Sequence, residues 1–174
     1  MKKTIITHFF TTTNISQFMR MFLFIINPYN LVRFRRWTHI ERLEQNLLKY
    51  LSAENSKIIS FYNARSALFH WLKILWIKNS DEVIIQAYTC VSVVNSLKQT
   101  WAKPIFVDVD ETLNICISDL KKKITKNTKI IIIQHTFWNP ANIDEIKKIA
   151  LENNILIIED CAHSLWAEYN WKKV

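Results

Sequence analysis

The stretch Asn154–Glu168, NILIIEDCAHSLWAE, decides the fold. Its run Ile155-Leu156-Ile157-Ile158 is too short for a helix of its own and too β-branched for a loop, so it reads as a buried strand. An acidic pair, Glu159-Asp160, ends the run, and Cys161, Ala162 and His163 follow at once. In open parallel α/β sheets ligands bind outside the carboxyl ends of the strands, so a carboxylate placed there is aimed at whatever binds. Taken alone, the commoner role for such an aspartate is to cap the next helix.

Upstream, strand and helix patterns alternate. Residues 1–36 mix apolar and polar residues without a clean period, are broken by Pro28, and read as a partly ordered N-terminal arm. His39 to Leu51 carries Ile40, Leu43, Leu47, Leu48 and Leu51 at helical spacing, with Glu41, Glu44 and Lys49 opposite. Lys57 to Phe61 reads as a strand, and Asn63-Ala64-Arg65-Ser66 opens a helix to about Leu75. Strands follow at Glu82 to Ala87, Pro104 to Val109 and Lys129 to Gln134. Helices are expected at Thr89 to Gln99 and at Ser118 to Ile124, where Ser118 is the expected N-cap. A last helix starts at Pro140 or Asn142 with Ile143, Ile146 and Ile149 inward. Near-continuous apolar strands are expected where helices cover both faces of a sheet. The fold class is α/β: three layers, a largely parallel sheet with helices on both faces. No repeat, low-complexity tract or linker follows the arm.

Composition sets outer limits. A chain of 174 residues, 49% hydrophobic and 13% aromatic, can bury a core and is not a disordered chain. The net charge of +8 and pI near 9.4 admit a polyanionic partner, whether nucleic acid, a nucleotide-linked substrate or an anionic membrane. The lysines, however, fall on amphipathic segments such as Leu120 to Lys126 and Asp144 to Lys148, which suits a solvated face better than a binding stripe. A rival reading from the charge alone is a non-catalytic basic α/β module that binds nucleic acid or protein. Cys90, Cys116 and Cys161 are three cysteines at unrelated spacings, expected as reduced thiols in a cytoplasmic protein. Cys161-Ala162-His163 is too sparse for zinc. The run Met21 to Ile26 is far short of the roughly 20 residues a membrane span needs, and no signal-peptide core stands near Lys2-Lys3. No membrane or nucleic-acid partner is expected.

The chain has no glycine at all, where ordinary usage would supply about 12, and it has seven tryptophans. Several stand where glycine is expected. Asn170-Trp171 sits where Asn-Gly makes a tight hairpin turn. Trp76 and Trp101 follow helices at left-handed terminating positions, and Trp138 precedes Asn139-Pro140 in a loop. Indole is poorly suited to positive φ. The pattern suggests a gene in a variant code in which UGA means glycine, read out as tryptophan. Trp37 and Trp71 are equally well explained as ordinary aromatics.

Four strand ends gather polar groups on one expected edge: Asn63 to Ser66, Tyr88 to Cys90, His135, and Asp160 to His163. Arg65 and Ser66 at a helix start suit a phosphate, through a cation and backbone N–H groups. Singly, each has a commoner structural explanation: a cap with a surface arginine, or a hydrogen-bonded core histidine. Their convergence is what points to a site. No glycine-rich turn follows the first strand, even with tryptophan read as glycine, so a dinucleotide-binding fold is disfavoured.

YNARSAL, EVIIQAYTCVSVVNSL, AKPIFVDVD, IIIIQHTFWNPA and IIEDCAHSLWAEYNWKKV, in this order and spacing, resemble the sugar aminotransferases of the DegT/DnrJ/StrS group. These are pyridoxal-phosphate enzymes of the aspartate-aminotransferase fold, and the resemblance covers about Arg36 to Val174. It implies the front part of a fold type I large domain over 37–174, truncated before its end. The family usually has glycine at the positions of Trp76, Trp101, Trp138, Trp166 and Trp171.

By that resemblance Asp160 pairs with the pyridine nitrogen of pyridoxal 5'-phosphate, keeping the ring an electron acceptor. His163, where many members have Gln, contacts the ring oxygen, and Arg65 and Ser66 match the phosphate-holding positions. Cys90 occupies the position of an often aromatic residue that stacks on the ring, with Tyr88 two residues before it. His135 matches a histidine near the site. The family's Schiff-base lysine lies downstream of the last matching motif, so the chain is expected to be an inactive N-terminal fragment with no catalytic residue of its own. The implied reaction moves an amino group, with glutamate as donor, to a nucleotide-linked keto sugar for cell-surface polysaccharide. Relatives with histidine at the lysine position are sugar dehydratases. The implied assembly is a homodimer with active sites at the interface.

Overall fold

A computed structural model describes residues 15–27, 38–53 and 55–173. The chain forms two compact units, Met1–Ile58 and Ile59–Val174. In the first, the described residues hold helices α1 (Ile15–Ile26) and α2 (Thr38–Tyr50). The helix α1 departs from the expected aperiodic arm. Its polar residues, Ser16, Gln17 and Arg20, all fall in its first half and the rest is apolar, so no polar position recurs along the sequence to mark a period. The rest of the arm, and Trp37, lie outside the described residues.

The second unit runs α3 (Ala64–Ile74), β1 (Glu82–Gln86), α4 (Val91–Gln99), β2 (Lys103–Val107), α5 (Ile117–Lys123), β3 (Thr128–Gln134), α6 (Ile143–Glu152) and β4 (Leu156–Asp160). A two-stranded ribbon of β5 (Glu168–Tyr169) and β6 (Lys172–Lys173) closes it. The four long strands pair in parallel in the order β2-β1-β3-β4. Side chains on a strand alternate between faces, and the isoleucine runs exploit this. Val83, Ile85, Ile130 and Ile132 pack with Leu72 of α3 and Val93 and Leu97 of α4. Ile84, Ile131 and Ile133 pack with Leu120 of α5 and Ile146 and Ile149 of α6. Two buried clusters on opposite faces of one sheet are the three layers expected.

Local physics accounts for most element ends. Asn63 caps α3 by accepting the Ser66 amide at 2.8 Å, and Asn142 caps α6 by accepting that of Glu145 at 3.3 Å. Ile143, Ile146 and Ile149 are buried as expected. Two expectations fail. Lys57 to Phe61 is no strand: it belongs to neither sheet of the described residues, and Ile59 is 66% exposed. Ser118 does not cap α5. The cap position is Cys116, which makes no side-chain capping bond, and Ser118 lies inside the helix with its hydroxyl 3.2 Å from Cys116 Sγ. The edge strand β4 leaves Leu156 52% exposed.

The tryptophans sort by backbone. Trp76 (φ 54°) and Trp101 (φ 64°) each sit one residue past the C-cap of a helix, in the left-handed position that glycine usually fills. Phe137-Trp138 (φ 49° and 69°) and Asn170-Trp171 (φ 49° and 63°) are two-residue turns with both centres left-handed. Trp71 lies inside α3 and Trp166 in a turn, neither with positive φ. The four left-handed tryptophans are 85%, 74%, 57% and 95% exposed in chain order, so little burial offsets their backbone strain.

W76G, W101G, W138G and W171G are therefore each expected to raise stability by about 1 kcal/mol, read as a higher urea midpoint. W71G is expected to lower it, glycine being unfavourable inside a helix. TGG codons at the four positions would refute the glycine reading of the gene.

Candidate functional site

Parallel pairing brings the carboxyl ends of β1, β3 and β4 to one rim. Gln134 is in register with Asp160, the last residue of β4. Beyond β4 the chain turns back at once: Asp160 Oδ1 accepts the Ala162 amide at 3.0 Å. The aspartate thus caps a turn and also lines a pocket of about 440 Å3, an ordinary size for a cofactor or small-ligand site. Arg65, Cys90, Ser92, Gln134, Glu159, Asp160, Cys161 and His163 are its polar and ionisable lining, set against Leu68, Val93, Ile132 and Ile158.

Four of the seven residues singled out from the sequence, Arg65, Cys90, Asp160 and His163, thus meet in one cavity. Ser66, Tyr88 and His135 do not line it. Ser66 lies in the first turn of α3 with its amide taken by Asn63. Tyr88 is half exposed; its ring meets Phe137 edge-on at 6.3 Å, and Phe137 stacks parallel to His163 with centroids 5.5 Å apart and planes 4° from parallel. The buried Nδ1 of His163 has no protein partner.

His135 is fully buried behind the rim. Its Nδ1 accepts the Ala141 amide at 3.1 Å, which leaves the proton on Nε2, 3.7 Å from Glu159. Attraction to His135, with Lys147 at 3.3 Å, holds the Glu159 carboxyl below the usual carboxylate range. His135, Glu159 and Cys161 lie close enough to suggest a metal trio. With its Nδ1 lone pair engaged and its Nε2 protonated, the imidazole has no lone pair to give a metal.

Sequence reading missed the brace beneath the rim. Gln86 and Gln134, the last residues of β1 and β3, are buried polar groups that must find partners. Gln86 Nε2 donates to Tyr88 O at 2.8 Å and Thr136 Oγ1 at 3.0 Å. Gln134 Oε1 accepts the Thr89 hydroxyl at 2.7 Å, and Gln134 Nε2 donates to Thr136 at 3.1 Å. The loops after the two strands are thereby tied together. Glutamine ending each of two isoleucine-rich runs was the available signal. On the α4 side, the hydroxyl of buried Ser96 lies 2.9 Å from Ser92 O and 3.2 Å from Arg65 O, next to the start of α3.

The cysteines differ sharply. Cys90, at the N-cap of α4, accepts the Ser92 hydroxyl at 3.0 Å, and this bond is the main reason its thiol sits below the usual range. Burial, then Glu159 and Asp160, push the Cys161 thiol up to about 11.

A family model, the DegT/DnrJ/EryC1/StrS aminotransferase family, matches residues 32–174. GDP-perosamine synthase of Escherichia coli is 36% identical over 132 residues, 75% of this chain and 34% of the relative. An aminotransferase of Psychrobacter cryohalolentis superposes with TM-score 0.73 at 30% identity, over 77% of this chain and 34% of the other. GDP-4-keto-6-deoxymannose-3-dehydratase with a trapped PLP-glutamate geminal diamine superposes with TM-score 0.72 at 29% identity, over 78% and 36%. The chain spans about a third of the length of the curated relatives it matches.

At neutral pH iodoacetamide is expected to alkylate Cys90 well before Cys161, because the thiolate is the nucleophile. Peptide mass spectrometry reads the order, and raising the pH should bring Cys161 in last.

Proposed function

The chain belongs to the DegT/DnrJ/EryC1/StrS aminotransferase family, and on that premise we propose that it supplies part of the site of a pyridoxal-phosphate-dependent enzyme. That enzyme transfers an amino group from glutamate to a nucleotide-linked keto sugar. The observation that carries the reading is Asp160 at the end of β4 in the same pocket as His163.

The residues fit the cofactor. The orphaned Nδ1 of His163 calls for a partner the protein does not provide, and the pocket combines an apolar wall with a carboxylate and a guanidinium. When bound, pyridoxal phosphate supplies an electron sink for carbanion chemistry. Asp160 would hold the proton on the pyridine nitrogen. His163 Nδ1 would take up the ring hydroxyl, and Arg65 with Ser66 would meet the phosphate at the start of α3. Cys90 would face the ring, and Tyr88 and His135 would support the rim from outside the pocket. The apolar wall on β3 and β4 would exclude water from the ring.

A dehydratase is the second reading, favoured by the likeness to GDP-4-keto-6-deoxymannose-3-dehydratase. In either enzyme the same carboxylate and imidazole would hold the cofactor. Residues 1–36 are the arm and 37–174 the front of the large domain in this proposal. We also propose a homodimer in the cytoplasm. The three free, widely spaced cysteines support the compartment. No helix among the described residues is long and apolar enough to cross a membrane.

Titrating the chain with pyridoxal phosphate is expected to give saturable uptake, followed by absorbance. D160N should weaken it roughly ten- to a hundredfold through loss of a charge-assisted hydrogen bond. Equal binding by D160N would overturn the assignment of Asp160.

A further inference from the structure

Phe137 stands in a conformation that a bulky side chain rarely adopts, φ 49°, at the first centre of the turn Phe137-Trp138. Backbone held there persists only when its surroundings over-determine it, and here they do. The turn is closed by the Asn139 amide donating to Thr136 O at 3.0 Å. Buried Asn114 grips it from both sides: Oδ1 accepts the Thr136 amide at 3.0 Å, and Nδ2 donates to Asn139 O at 3.1 Å. Asn139 Nδ2 reaches back to Thr112 O at 3.3 Å. On the far side, the Ala141 amide is anchored to His135. The turn is fixed to the protein at several points, and what it presents is one phenyl ring.

That ring lies on the imidazole of His163 with centroids 5.5 Å apart and planes 4° from parallel, while Tyr88 abuts it edge-on. His163 has no hydrogen bond through its buried Nδ1, so the stack is what defines the plane of the ring. We infer that Phe137 is a positioning residue: it sets the plane of the His163 imidazole, and with it the direction of Nδ1 in the pocket. A ring held in advance loses less freedom when a ligand takes its hydrogen bond. The link to pyridoxal phosphate rests on the function proposed above, whereas the stack does not.

Carbon- and proton-detected NMR of the 174-residue chain tests this. In the wild type, the imidazole carbon-bound protons of His163 should show nuclear Overhauser contacts to the Phe137 ring and an upfield ring-current displacement. F137L, which removes the ring but keeps an apolar side chain, should lose that displacement, and F137Y should retain it. Titration with pyridoxal phosphate should then show binding weakened roughly two- to tenfold in F137L and restored in F137Y. An F137L chain with a folded amide spectrum and an unmoved His163 signal overturns the inference. If F137L does not fold, absence of the wild-type Overhauser contacts overturns it and their presence upholds it. If the His163 signals behave as expected but no chain, wild type included, takes up cofactor, the stack stands and the cofactor reading falls.

Discussion

Parallel pairing is the constraint on which the rest depends. Four strands running the same way put every carboxyl end on one edge, and the β3–β4 register sets Asp160 level with Gln134. A parallel strand needs a crossover, and the right-handed preference of such crossovers puts the connecting helices on the faces of the sheet. Hence α3 and α4 lie on one face and α5 and α6 on the other, with isoleucine on both sides of β3 filling the layers. A site built from residues as far apart in sequence as Arg65 and His163 is a consequence of that geometry.

The rim has a cost that the brace offsets. Two glutamines buried at strand ends would each be destabilising if unpaired. Shared use of Thr136, with Thr89 and Tyr88 O as further partners, satisfies most of their polar atoms and locks the loops after β1 and β3 to each other. Gln86 Oε1 remains without a partner. The apolar core therefore fixes where the strands lie, and the polar brace fixes where the loops leave them.

Most of the fold was legible because isoleucine-rich runs of strand length, separated by amphipathic helices, leave few alternatives. Lys57 to Phe61 shows the limit: a run can have strand composition and still be no strand, since a ladder needs a neighbour that local pattern does not reveal. The helix α1 was hidden because its few polar residues, Ser16, Gln17 and Arg20, stand together in its first half and never repeat. The site was half legible. Asp160, His163, Arg65 and Cys90 share the pocket because strand ends converge, and that follows from topology. Tyr88, Ser66 and His135 stand near it without lining it, because side-chain direction at a rim is set by turns. Phe137 escaped notice since its importance comes from a left-handed backbone, and nothing in HTFWNP marks phenylalanine as the residue so placed. Tryptophan at four left-handed positions was, by contrast, legible from glycine's absence together with where those tryptophans fall, past helix ends and in turns.

The strand β4 is one of the two edges of its sheet, with Leu156 open to solvent and one row of its peptide groups unpaired with any other strand among the described residues. Such a border is a template for adding another strand from another molecule. Glu159 and Asp160 give it like charges at only one end. Concentrated solutions of this chain should therefore be governed by edge-to-edge aggregation, and the same row of amides and carbonyls would let a peptide extend the sheet next to the aspartate.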